Sequence, residues 1–211
     1  MSRPDFLNGV NPHRLSEHER AERRERILAT RPAGEAFWVF GFGSLMWRPE
    51  FEPVERQAAT LSGYERHFRI ISTTARGTPE RPGLAPCLEE VEGGQCLGIV
   101  FRLDEARVAD DLVALWDREQ NSGSYNPTWV ELKTHEGPLT ALTFVVERDH
   151  PHYLGPLSIE DTASAICGAE GRHGACRDYV ASLVGALREL GERDPFLEDL
   201  LARVDGLSAR P

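Results

Sequence analysis

Two short stretches of this chain carry residues whose types and spacing suit chemistry: WVFGFGSLMW at residues 38–47 and LVALWDREQ at residues 112–120. In the first, Trp38, Val39 and Phe40 read as the end of a buried strand, β-branched and aromatic. Gly41 and Gly43 follow at alternating positions, with Phe42 between them and Ser44 and Leu45 after. Glycine directly after a strand allows positive φ and close approach to the main chain. Successive backbone amides in such a loop form a concavity suited to a carboxylate or a phosphate. A bulge or tight turn that needs glycine only for its geometry is the alternative. The loop is not a dinucleotide fingerprint, because a third glycine is absent and Pro49 and Pro53 interrupt any following helix. Nor is it a P-loop, having no Gly-Lys-Ser/Thr.

The second stretch places a carboxylate on the apolar side of a helix. Residues 104 to about 118 read as helical, with Val108, Leu112, Leu115 and Trp116 on one stripe. Glu119 continues that stripe, three and four residues beyond Trp116 and Leu115, so a persisting helix points it toward the core. Burial without a partner disfavours the charged form and raises a carboxyl pKa. A general acid/base that works near neutral pH needs such a shift. The alternative is that Glu119 ends the helix, swings outward and pairs with Arg118 or Lys133.

Taken with two further segments, these stretches resemble the ChaC family of γ-glutamylcyclotransferases. The loop is similar to the family's substrate loop, usually Tyr-Gly-Ser-Leu after a hydrophobic strand, with Phe42 where tyrosine is common. ARGTPERPGL at 75–84 matches an Arg-Gly-Thr-Pro-Glu-x-Pro-Gly segment, and WDREQNSGSYNPTWV at 116–130 resembles the region that holds the catalytic glutamate. DYVASLVGALRELG at 178–191 resembles the closing helix, so the similarity runs from about residue 36 to 204.

The resemblance implies a cofactor-free reaction on glutathione, with no metal. The γ-glutamyl α-amine attacks its own γ-carbonyl, closing 5-oxoproline and releasing Cys-Gly. A base must take a proton from the α-ammonium and an acid must give one to the departing amine. Glu119 matches the carboxyl that does both. Gly41, Phe42, Gly43, Ser44 and Leu45 match the loop that positions substrate, through main-chain amides at the α-carboxylate or at the oxygen where charge develops. Arg76 is a candidate second anchor for a peptide carboxylate, or else pairs with Glu80 or another carboxylate and organises its loop. Tyr125 can reach Glu119 or substrate through its hydroxyl, or sit in the core with a satisfied tip, and Tyr179 carries the same alternatives.

Two other functions stay open. One is the same chemistry on a different γ-glutamyl compound, for which Trp116 and Asp117 beside the base are an argument. The other is a non-catalytic regulator of cation transport, a label that members of the family have carried.

Composition is compatible with an enzyme of this kind. The 211 residues suffice for one core, with 40% hydrophobic content. A formal net charge of −10 argues against a nucleic-acid binder. It leaves room for an anionic substrate, because a local cradle outweighs a distant field screened over about 8 Å. No stretch is long and apolar enough for a membrane helix and no signal-peptide core follows Met1, so a cytoplasmic location is expected. Cys87, Cys96, Cys167 and Cys176 lack metal-site spacing and read as buried free thiols. His150-Pro151-His152 reads as a loop and His173 as solvated. Oligomeric state is not legible.

The elements that must position these residues follow from periodicity. Residues 1–34 read as an arm: an irregular stretch to about 15, then a charged helix from a capping box at Ser16 and Glu19 to about Leu28. A domain is expected over 35–205. Its first part is strand-rich, with strands at 55–61 leading into 66–71, at 95–103, and a hairpin of 128–134 with 139–146. Helices at 158–168 and 176–190 and a short one after Pro195 close the chain. Strands first, one embedded helix, then helices is an α+β layout. The resemblance narrows it to a small mixed β-barrel flanked by helices, with the glycine loop and Glu119 meeting at its mouth.

Overall fold

The computed structural model describes Leu7 and residues 14–209. The irregular stretch expected before residue 15 therefore lies almost wholly outside the described residues. Five strands close a barrel in the order β1-β3-β2-β4-β5. They are β1 (Trp38–Gly41), β2 (Glu55–Ser72), β3 (Gly83–Arg102), β4 (Tyr125–Thr134) and β5 (Gly137–Val146). The sheet is mixed, as expected: β1 runs antiparallel to β3, with Gly41 opposite Ile99, and parallel to β5, with Val39 beside Leu142. β2 meets β4 antiparallel at Leu61 and Leu132. The β4–β5 hairpin closes at Thr134 opposite Gly137, leaving His135 and Glu136 as a two-residue loop.

Alternation decides what fills the barrel. Ala59 and Leu61 on β2, Leu88, Cys96 and Val100 on β3, and Val130 and Leu132 on β4 pack with Phe40 and Phe42 in one buried cluster. Two strands are longer than their sequence suggests. β2 is continuous from Glu55 to Ser72 and β3 begins at Gly83, because Gly63 (φ 82°) and Gly93 (φ 75°) take left-handed conformations within strands without ending them. Such glycines are what a β-bulge uses.

The helices are α1 (Glu17–Leu28), α2 (Val108–Glu119), α3 (Ile159–Ile166), α4 (Cys176–Glu189) and α5 (Pro195–Ser208). The capping box of α1 is present: Glu19 N donates to Ser16 Oγ at 3.2 Å and Ser16 N to Glu19 Oε2 at 2.7 Å. α2 starts later than the apolar spacing suggests. Asp104 accepts from Ala106 N through its carboxylate and from Arg107 N through its carbonyl, holding residues 104–107 in a turn. α5 is a full 14 residues, opened by Asp194 as N-cap and Pro195 in the first turn, and buries Leu197, Leu200 and Val204. All four cysteines are free thiols, with Cys167 half-buried and the others buried. No described helix is long and apolar enough to cross a membrane.

The chain forms two compact units. One comprises His13–Arg66 and Leu88–Glu147, and so holds the barrel core, α1 and α2. The other is built around His67–Cys87 and Arg148–Pro211. In the latter, α5 packs on α3 and α4, and a two-strand hairpin of β6 (Glu170–Gly171) and β7 (Gly174–Ala175) leads into α4.

Where β3 passes β1 the backbones leave no room for a side chain. A Cβ on Gly98 would lie 2.4 Å from the Gly41 carbonyl oxygen and 2.7 Å from the Phe40 ring. Gly98→Ala should therefore lower unfolding free energy by about 1–3 kcal/mol, the cost of overpacking. Gly185→Ala, in α4 with nothing within 4 Å of the added methyl, should raise it by about 0.5–1 kcal/mol. Chemical denaturation of both variants checks the contrast.

Candidate active site

The site assembles where β1 ends. After Gly41 the chain makes a single 3-10 turn over Ser44–Met46, closed by Met46 N donating to the Gly43 carbonyl at 2.9 Å and Arg48 N to the Ser44 carbonyl at 2.9 Å. The buried side chains of Leu45 and Met46 anchor it. Contrary to the sequence reading, neither Gly41 nor Gly43 uses positive φ, and Gly43 sits at φ −125°, ψ −139°. Close approach is the reason for glycine at 41, where a Cβ would meet the Leu45 Cβ at 2.8 Å. Phe42 turns its ring into the barrel core, so what it offers at the loop is its backbone.

Glu119 is the last residue of α2. Leu112, Leu115 and Trp116 on the same stripe are buried, while the Glu119 side chain retains 20% of its surface. Its neighbour Arg118 ties it to the loop. The guanidinium donates from Nη2 to Ser44 Oγ at 2.6 Å, and from Nη1 to the Arg48 carbonyl at 2.6 Å and Glu50 Oε1 at 2.8 Å. Its Nε lies 3.1 Å from Glu119 Oε1. Both alternatives for Glu119 thus hold in part: it stays on the inward stripe and it pairs with Arg118. Lys133 lies on β4 opposite Thr60 and Pro138.

The electrostatics of Glu119 are a contest. Loss of hydration raises its pKa and is the largest effect, the Arg118 cation lowers it, and the carboxylate of Glu50 raises it again. Desolvation wins although the side chain keeps a fifth of its surface, because the surrounding protein displaces most of the carboxyl's hydration. A carboxyl that is reachable and yet reluctant to ionise suits proton transfer in both directions.

The other predicted residues have definite places. Tyr125 opens β4 and its carbonyl accepts from Gln120 Nε2 at 2.8 Å. Trp116 is fully buried, edge-on to Phe144 at 5.4 Å, and Asp117 is exposed with Arg20 Nε at 3.3 Å. The large indole beside the base is thus part of the core. Arg76 belongs to the other compact unit. There its guanidinium donates to the His173 carbonyl and stacks 4.8 Å over the ring of buried Tyr179, contacts that support the loop-organising alternative. His150 and His152 are both buried in a loop, ring centroids 5.1 Å apart, and His173 is exposed. Among the described residues no group of three or more His, Cys, Asp or Glu side chains is placed to hold a metal ion.

Sequence reasoning missed Arg118 as the organiser of the site. Its pairing with the adjacent Glu119 was one of the expected alternatives, but its other partners, Ser44, Arg48 and Glu50, lie 68 to 74 residues away, out of reach of any periodicity.

The raised pKa makes a stability prediction. Folding holds the Glu119 proton more tightly than the unfolded chain does, so this group's contribution to stability falls as pH rises from the ordinary glutamate value through the raised one. Glu119→Gln mimics the protonated form at every pH. The variant should gain stability relative to the wild type between about pH 4 and about pH 8, read as the difference in denaturation midpoints at the two ends.

The family described as ChaC-like protein matches residues 37–207. The glutathione-specific gamma-glutamylcyclotransferase of Escherichia coli K12 is 37% identical over 195 residues, covering 92% of this chain and 84% of that protein. The human glutathione-specific gamma-glutamylcyclotransferase 1 is 31% identical over 176 residues, covering 82% of this chain and 79% of that protein. Among solved structures, the yeast cyclotransferase specific to glutathione superposes with a TM-score of 0.75 over 83% of this chain and 98% of its own, at 22% identity. That likeness shows the fold.

Proposed function

The chain belongs to the ChaC-like protein family, and from that premise we propose that it is a γ-glutamylcyclotransferase that cleaves glutathione to 5-oxoproline and Cys-Gly, with Glu119 as its acid/base. The observation that carries the role of Glu119 is its setting: one carboxyl, pushed toward its protonated form by burial, partly open to solvent and tied by Arg118 to the glycine loop.

The chemistry follows from that setting. Glu119 takes a proton from the substrate's α-ammonium, and the freed amine attacks the γ-carbonyl carbon. A five-membered ring with a tetrahedral oxyanion results. Glu119 returns that proton to the cysteinyl nitrogen, collapse of the oxyanion breaks the γ-amide C–N bond, and the ring nitrogen's remaining extra proton passes by way of the same carboxylate to the released amine, leaving a neutral lactam N–H and the Cys-Gly ammonium. No co-reactant is consumed, and the base is regenerated as the leaving group departs.

Ring closure needs the glutamyl chain folded on itself, and holding that conformer can lower the barrier by about 7 kcal/mol or more. Gly41 gives the loop its tight path, and the amides of Gly43, Ser44 and Leu45 are assigned to the α-carboxylate or the developing oxyanion. Tyr125 is assigned to the wall of the site, at the start of β4. Arg118 holds the loop and the base in one geometry and is a positioning residue. A cytoplasmic location goes with this reading. Residues 1–34 are proposed as an arm to the catalytic domain. The alternative of a different γ-glutamyl substrate loses its main argument, since Trp116 is core and Asp117 faces outward to Arg20.

Purified protein incubated with reduced glutathione should release 5-oxoproline and Cys-Gly in equal amounts, followed by mass spectrometry. Glu119→Gln should lower the rate by about 10²–10⁴-fold in a folded chain, the worth of a general acid/base. Release from another γ-glutamyl compound and none from glutathione would overturn the substrate, and no release from any would overturn the reading. The acid limb of the kcat/KM profile should lie above the ordinary glutamate range, because the ionised carboxylate is the base and its pKa is raised.

A further inference from the structure

A carboxylate on the last residue of a helix is poorly placed for precise aim, because helix ends are where local opening is easiest. Glu119 is in that position, and the turn that follows it is contacted from the N-terminal side of the chain. Leu15 N donates to the Asn121 carbonyl at 2.9 Å. The Leu15 side chain covers Gly123 (φ 77°), where a Cβ would lie 3.2 Å from it. Arg20 donates from Nη1 to the Leu15 carbonyl at 2.9 Å and sets its Nε 3.3 Å from Asp117 Oδ1. Arg23 Nη1 donates to Gln120 Oε1 at 3.3 Å.

Gln120 is the pivot of these contacts. Its side chain is fully buried directly after Glu119, and both ends of its amide are used: the oxygen accepts from α1 and the nitrogen donates to the Tyr125 carbonyl on β4 at 2.8 Å. The far end of α1 is fixed to the same strand, where Trp129 Nε1 donates to the Ile27 carbonyl at 3.2 Å. α1 itself buries no residue completely. Ile27 and Leu28 are half-buried, and the polar contacts of α1 reach Asp117 and Gln120 at the end of α2 and Trp129 on β4.

We propose that α1 is a brace for the catalytic carboxylate, with Gln120 and Arg23 as positioning residues whose contact sets the direction in which Glu119 leaves α2. The proposal rests on the reading of Glu119 as acid/base. Neither residue need touch substrate; each acts through the geometry of the turn after α2. A base displaced by even 1 Å can cost about 10²-fold in rate. Other groups that bear on the Glu119 charge are Arg118, on its own helix, and Glu50, from the segment before β2. Neither is replaced in the test.

The test uses the full chain with Arg23→Met and Gln120→Leu, which keep approximate volume and remove the polar contact. Arg23→Lys restores a cationic donor, and Arg26→Met removes the same charge from an exposed position on the same helix. Three quantities are read: kcat and KM with glutathione, the thermal midpoint, and the substrate-free titration of the Glu119 carboxyl by carbon NMR, assigned by its loss in Glu119→Gln. Arg23→Met and Gln120→Leu should lower kcat by about 10- to 100-fold with KM nearly unchanged. The Glu119 titration midpoint should fall in both toward the ordinary glutamate range, as a loosened turn admits water to the carboxyl. Arg23→Lys should recover part of each effect, and Arg26→Met should match the wild type.

A folded Arg23→Met chain with wild-type kcat and wild-type Glu119 titration would overturn the brace, and so would an equal effect from Arg26→Met. Should Gln120→Leu fail to fold, the half-buried surface position of Arg23 still decides the matter. A wild type inactive on every γ-glutamyl compound would overturn the functional reading instead, and the substrate-free titration would still accept or reject the brace.

Discussion

The guanidinium of Arg118 is shared among Ser44, the Arg48 carbonyl, Glu50 and Glu119, and the electrostatics of the site depend on that sharing. A planar cation with five donors can serve a hydroxyl, a carbonyl and two carboxylates at fixed angles; a lysine ammonium, a point charge on a flexible stem, cannot. Were the cation devoted to Glu119 alone, it would depress the carboxyl pKa and leave a weak base. With its charge divided between two carboxylates, desolvation prevails and the pKa rises. The same bonds that hold the loop therefore leave the carboxyl able both to accept and to release a proton.

The barrel supplies the rigidity this arrangement needs. β1 contributes only four residues, yet it is paired on both sides, antiparallel to β3 and parallel to β5. Thr143 Oγ1 adds a buried bond to the Phe40 carbonyl at 3.1 Å. Gly98 lets β3 come close enough to fix the Gly41 carbonyl, and Gly41 in turn lets Leu45 fold back against the strand end. Small residues here act as spacers between backbones. The loop is thus mounted on a strand that cannot shift without moving the sheet, which suits a site whose main task is holding a flexible substrate folded.

Much of this was legible in the sequence, and the reason differs from element to element. The stripe of Leu112, Leu115 and Trp116 fixed the face on which Glu119 falls, because helical spacing is a local property. The capping box at Ser16, the β4–β5 hairpin and the proline-led α5 are equally local. The lengths of β2 and β3 were not legible, since Gly63 and Gly93 look like breaks and only pairing partners far along the chain keep the strands continuous. The reach of Arg118 to the loop, and the contacts of Gln120, escaped for the same reason. Each reads as an ordinary polar residue at a helix end until the strand, the loop and α1 are brought against it. The conformation of the glycine loop was misjudged because glycine serves both positive φ and close approach, and sequence does not distinguish them.

The place of Glu119 on α2 has a physical consequence of its own. The carbonyl end of a helix carries partial negative charge, which favours cations and disfavours anions within the last turn. Asp110 and Asp111 in the first turn and Arg118 in the last follow that rule, and Glu119 breaks it. Helix polarity therefore adds to desolvation in holding its proton, while Arg118, one residue earlier, keeps the ionised form within reach. A carboxyl in mid-helix would face less of that negative potential, and one beyond the helix would lose its fixed direction. The last helical residue is where the pKa is raised and the orientation can still be controlled, provided the turn that follows is held from outside.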